Sequence, residues 1–95
     1  MHKIIVSTAA KADIEHLVEN IVDYTGFVES GVRLHNDFMD KINAIAYMPE
    51  ALGRLRPEPN TRESFVRGYR IVYEIQPNVI YIKTIIHSRR LYPRP

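Results

Sequence analysis

SFVRGYRIVYEIQPNVIYIKTIIH, residues 64–87, is punctuated at two places. In its first half Phe65, Tyr69, Ile71, Tyr73 and Ile75 hold the odd positions, the two-residue alternation of strands with one face against a core. Gly68 interrupts that run where a turn or bulge would divide it into two strands. Gln76-Pro77-Asn78 reads as the second break, because proline presets its φ and asparagine tolerates the left-handed region. Residues 79–87 are apolar on both faces, as expected of a central strand. The stretch therefore predicts a three-stranded antiparallel meander.

Upstream the period changes. Residues 2–7 carry Ile4, Ile5 and Val6 and predict a short, largely buried first strand. Ser7 and Thr8 offer a helix N-cap, with Asp13 and Glu15 in the early turns. Ile14, Leu17, Val18, Ile21 and Tyr24 recur at helical spacing, Glu15, Glu19 and Asp23 fall on the other face, and Gly26 stops the helix. A second helix over 29–47 buries Leu34, Phe38, Ile42 and Ile45 and is closed by Pro49. Residues 49–62 hold three prolines and a glycine and read as an ordered connector. The expected fold class is α+β: a strand, an αα-hairpin, then the meander, with both helices packed on one side of the sheet.

Ninety-five residues make a single domain, 1–95, with no room for a separate cofactor module, and no cofactor is expected. With 45% hydrophobic and 25% charged residues, the chain has enough apolar surface for a packed core rather than disorder. No apolar run nears the ~20 residues of a membrane span, so a cytoplasmic protein with no membrane partner is expected. The absence of cysteine excludes disulfides, thiolate nucleophiles and Cys-ligated metal. Glycine-rich phosphate loops, HExxH and GxSxG are missing, and His2, His16, His35 and His87 are too scattered for local metal-ligand spacing, so no metal is expected either.

Charge is divided along the chain. Residues 1–50 hold four basic and eight acidic side chains, a balance of −4, whereas residues 51–95 hold nine and three, a balance of +6. Eight of the nine are arginines, whose planar guanidinium suits phosphate or carboxylate. An anionic ligand or an acidic protein segment is the partner class this implies, the alternative being that the basic half complements the acidic helices internally. Arg70 alternates with Tyr69, Ile71 and Tyr73 and so lies on the opposite strand face, while Arg89 and Arg90 emerge where the last strand ends. Arg70 either lines an anion cleft with them or pairs with Glu74 or a helix carboxylate. His87 is a candidate acid or base, or a structural hydrogen-bonder.

PEALGRLRPE (49–58), RESFVRGYRIVYEI (62–75) and VIYIKTIIHSRRLYP (79–93), preceded by AAKADIEHLVENIVDYTG (9–26), resemble the ParE/RelE superfamily, the toxins of type II toxin–antitoxin modules. The resemblance covers nearly the whole chain and implies the same element order, a cognate antitoxin as partner and a role in growth inhibition or plasmid stabilization. RelE-like members cut mRNA on the ribosome, and for that activity the resemblance carries over Arg70 and Arg89 as phosphate-stabilising residues and Tyr92 as a loose match to a catalytic tyrosine, beside which His87 is the candidate acid or base. The lysines such nucleases carry on the strand before Gly-Tyr-Arg are absent, since that strand holds Glu63, Ser64, Phe65, Val66 and Arg67. The LGRLRPE connector and HSRR ending look more ParE-like, which implies a gyrase inhibitor rather than an enzyme, with Arg67, Arg70, Arg89 and Arg90 as target- or antitoxin-binding residues. An inactive relative that binds only its antitoxin is the remaining alternative.

Overall fold

The computed structural model describes residues 1–89. Strand β1 (Lys3–Val6) leads into helices α1 (Thr8–Thr25) and α2 (Val28–Tyr47), followed by β2 (Arg54–Leu55), β3 (Thr61–Val66), β4 (Tyr69–Gln76) and β5 (Val79–His87). The strands form one sheet in the order β1-β5-β4-β3-β2. The α+β class and the meander β3-β4-β5 are as expected, with β5 in the interior of the sheet. Two features were not: β1 pairs parallel to β5, and the connector contributes β2, antiparallel to β3, with Arg54 opposite Glu63. A strand of two residues has no period to detect.

Local chemistry sets the element ends. Ser7 caps α1, its hydroxyl accepting from the Ala10 N–H at 2.9 Å and donating to the Lys83 carbonyl at 2.8 Å, so one side chain both starts the helix and ties it to β5. Gly26 ends α1 at φ 76°, a left-handed cap. The β4–β5 turn has Pro77 followed by Asn78 at φ 61°, the proline-then-left-handed order of a type II turn. In the β3–β4 turn the left-handed residue is Arg67, at φ 52°, rather than Gly68.

The core lies between the helices and one sheet face. Leu34, Phe38 and Ile45 from α2, Ala10 and Ile14 from α1, and Ile71, Tyr73, Ile80, Ile82 and Ile85 from the sheet are buried together. Tyr24, assigned to the apolar face of α1 by its spacing, is instead 91% exposed. Phe65 also changes sides: a two-residue turn pairs Val66 with Tyr69 and Phe65 with Arg70, so odd positions of β3 share a face with even positions of β4. At Lys83 the register of β5 slips by one residue, Val72 facing Thr84 and Tyr73 facing Ile82. Asp13 of α1 meets the irregularity: its Oδ2 accepts from the Ile85 N–H at 3.0 Å and from the Thr84 hydroxyl at 2.6 Å. Asp13 thus serves the sheet rather than the first helical turn, which holds no acid.

The 49–60 connector is fixed by its contacts with the sheet. The Tyr73 hydroxyl donates to the Pro49 carbonyl, Ser64 Oγ to Leu52 and Arg62 Nη1 to Gly53, the last two both at 2.8 Å. Gly53 passes so close that a Cβ there would overlap the Tyr73 hydroxyl. Burial pushes the Tyr73 phenol up to about 12.

Candidate functional site

The sheet face turned away from the helices carries a cluster built on one carboxylate. Glu63 on β3 is 2% exposed, and its oxygens accept from Arg54 Nη2 at 2.6 Å, Arg56 Nη1 at 2.7 Å and Arg70 Nη1 at 3.0 Å. Strand pairing brings them together: Arg54 of β2 lies opposite Glu63, and Arg70 lies two residues from the β4 partner of Glu63, Val72, on the same face. Burial alone would raise the Glu63 carboxyl, but hydrogen bonds from Arg54 and Arg56 and the charge of Arg70 outweigh it and hold the group below the usual carboxylate range. Arg56 is opposed by burial but raised by its bonds to Glu58 and Glu63. The Arg54 guanidinium also stands 5.4 Å over the Phe65 ring, and both are exposed.

Arg70, read from the sequence as a solvent-side residue of an anion cleft or as a partner of Glu74 or a helix carboxylate, is instead 8% exposed and bound to Glu63 of β3. Arg67 pairs with Asp37 of α2 through two nitrogens, each 2.7 Å from Oδ2, with both side chains partly exposed. Arg89 is exposed just past β5, and its N–H donates to His87 Nδ1 at 3.3 Å. Arg90 and Tyr92 lie outside the described residues.

His87 occupies the other side of the sheet. It pairs with Tyr69, whose ring stands edge-on to it at 5.9 Å and to Phe38 of the core at 5.5 Å. Arg70 pairs with Ile86 and faces away from the helices, so the sheet separates Arg70 from His87. His87 opens onto a polar cleft of about 460 Å³, shared with Asp13, His16, Asn20 and Tyr69. A second groove of about 460 Å³ runs between the helices, floored by Val6, Ile14, Val18 and Met39 and edged by Lys11 and Glu15. Among the described residues no group of three His, Asp or Glu side chains is placed to hold a metal ion.

Residues 4–92 match the family described as ParE toxin of type II toxin-antitoxin system, parDE. The chain belongs to this ParE toxin family. The chromosomal ParDE toxin–antitoxin system of P. aeruginosa contains a similar fold, with a TM-score of 0.83 at 16% identity over 94% of this chain and 98% of that one. The RelBE2 toxin–antitoxin complex of Mycobacterium tuberculosis contains another, with a TM-score of 0.59 at 21% identity over 90% of this chain and 96% of that one. No curated protein sequence matches the chain. The ParE toxin family and the α+β class are as expected, whereas the element order gains β2.

The sequence pointed to Arg67, Arg70, Arg89 and Arg90, with His87 and Tyr92 for a nuclease; Glu63, Arg54 and Arg56 were missed. The signal available was register. A turn of two residues after Val66 sets Glu63 diagonally across from Arg70, whereas Glu74 is four residues from it along the same strand.

Proposed function

We propose that this toxin acts by binding rather than by chemistry, that its target is DNA gyrase, and that a cognate antitoxin neutralises it. The observation that carries this reading is the engagement of Arg70 by a buried carboxylate on the face opposite His87. Cleavage by 2′-hydroxyl attack needs a base, an acid and free cations converging within about 3 Å of one phosphate. Here the strand that would supply lysines supplies Glu63, which takes three guanidiniums for itself. The antitoxin is assigned to the apolar groove between α1 and α2, where an amphipathic segment would bury its apolar face, with Arg89 as an exposed cation for its acidic residues and Arg67 able to exchange Asp37 for one of them.

A second reading, a ribosome-dependent endoribonuclease, is favoured by one observation: His87 lines an open polar cleft, and the Arg89 N–H donates to its ring. Inducing the protein in a host carrying an SOS reporter, with plasmid supercoiling and mRNA ends followed together, separates the two. The SOS response with relaxed or cleaved plasmid and intact mRNA is the expected result. Codon-phased cuts in ribosome-bound mRNA, abolished by His87→Ala, would replace it with the nuclease.

A further inference from the structure

Four large apolar side chains stand in solvent at the bend of the helical hairpin: Tyr24 is 91% exposed, Val28 69%, Phe27 66% and Val32 54%. Such residues scattered singly need no explanation. Four within nine residues present on the order of a few hundred Å² of apolar surface, the size of the largest patch on an ordinary monomer, which is often a functional one. The bend also projects: Asn20 lines a cleft with His87, the last residue of β5, so α1 has reached the end of that strand there. At 1.5 Å per residue the remaining turn carries Thr25 about 7 Å further.

The bend is held rigid. The Gly26 N–H donates to the Val22 carbonyl at 2.8 Å, and the Thr25 hydroxyl donates to Ile21 at 2.9 Å and accepts from the Phe27 N–H at 3.2 Å. Gly31 brings the helices so close that a Cβ would lie 2.6 Å from Val22 Cγ2. Phe27 occupies the N-cap of α2 and makes no side-chain cap bond, at a position where a serine or aspartate would favour the helix. The sequence places an exposed ring there instead. A surface ordered in advance loses little entropy when it binds.

Charge identifies what it fits. Among the exposed side chains between residues 19 and 33, Glu19, Asp23 and Glu29 are acidic and Arg33 is basic. An acidic collar repels nucleic acid and anionic lipid, and a second copy of the chain would bring like charges together. A protein surface with an apolar socket rimmed by lysine or arginine is complementary.

We infer that this bend is the surface by which the toxin grips its protein target, and that the target offers such a socket. The assignment rests on the reading of the chain as a toxin that acts by binding, and it places the target surface beside the groove given to the antitoxin, with Glu19 bordering both. The test uses a Tyr24→Ser/Phe27→Ser/Val28→Thr triple variant and an Asp23→Lys variant, each induced alone and each titrated with the antitoxin.

Both should keep the wild-type circular dichroism and melting curve and bind antitoxin within about threefold of wild type, because the groove is untouched. Colony survival on induction should rise about 100-fold or more for the triple variant, which removes the central anchors, and about tenfold for Asp23→Lys, which alters rim charge. Should the triple variant unfold, Tyr24→Ser alone and Asp23→Lys carry the same comparison, since both positions are exposed. Undiminished growth arrest by folded variants overturns the assignment, as does loss of antitoxin binding. A wild-type dimer that the triple variant dissociates, or wild-type binding to phosphatidylcholine vesicles that it abolishes, also overturns it in favour of a second copy or a membrane. Growth arrest by wild type without an SOS response overturns gyrase as the target and leaves the bend to be judged by the variants. A wild-type protein that does not arrest growth overturns both.

Discussion

Arg70 Nη1 donates to Glu63 Oε2 at 3.0 Å across the β3–β4 hairpin, and both side chains are almost wholly buried. Removing one partner of such a pair leaves a charge without compensation, which typically costs 3–5 kcal/mol. Glu63→Gln takes the carboxylate from the buried Arg70 and from Arg56, which keeps Glu58, and should lower stability by about 3 kcal/mol in urea denaturation. Arg70→Ala should cost about 2 kcal/mol, because Arg54 and Arg56 still serve the carboxylate. An Arg70→Ala protein with wild-type stability that no longer inhibits growth would instead make Arg70 a contact to the target.

Acid should expose the same cluster. The Glu63 carboxyl titrates below its unfolded value, so its contribution to stability is complete above about pH 4.5 and is lost as the pH falls through the folded value. Glu58, lowered chiefly by its hydrogen bond from Arg56, adds in the same direction. Urea midpoints measured from pH 7 to pH 3 should fall below about pH 4.5, and Glu63→Gln should fall less steeply over that window.

Alkali should act through Tyr73. Its folded value, about 12, lies above the ordinary 10, so the stability it confers is complete below pH 10 and is lost as the pH rises toward 12. Tyr73→Phe should remove that dependence while costing about 1 kcal/mol at neutral pH for the lost bond to the Pro49 carbonyl. Thermal melts at pH 8, 10 and 11 check both parts.

Gly53→Ala should destabilise by about 2 kcal/mol, since the new methyl overlaps the Tyr73 ring end. Combining it with Tyr73→Phe removes the hydroxyl it meets first, so the double variant should be less damaged than the two single effects added together. Strict additivity in a double-mutant cycle would mean that the two positions do not touch.

At the β3–β4 turn, Arg67 combines a left-handed backbone with an ion pair to Asp37. Arg67→Gly loses the exposed pair but relaxes the backbone, and should change stability by less than about 0.5 kcal/mol. Arg67→Val loses the pair and puts a β-branched side chain at positive φ, and should cost more than about 1 kcal/mol, as read from urea midpoints.

The parts of this architecture legible from sequence are those in which one periodicity runs for several turns or residue pairs. Leu34, Phe38, Ile42 and Ile45 mark the buried face of α2, and the doubly apolar β5 declares itself as an interior strand. Tyr24 misled because helical spacing continues past the point where the sheet ends beneath it. Phe65 misled because a two-residue turn exchanges odd and even positions between neighbouring strands. Glu63 was hidden for a related reason: an acid on a short strand looks solvated until the register shows the arginines on either side. Register is set by turn geometry and bulges, which single residues encode weakly.

The parallel pairing of β1 with β5 joins Lys3 to Val79, and the Ser7 hydroxyl reaches the carbonyl of Lys83, 76 residues away. On a ribosome the first strand therefore waits through both helices and the first two strands of the meander before its neighbour exists. The helical hairpin forms early from local contacts, but its apolar floor closes only when β5 enters between β1 and β4. Synthesis thus passes through a long interval in which the hairpin is present and its sheet is incomplete. Any activity that depends on the finished sheet is switched on late, by insertion of β5.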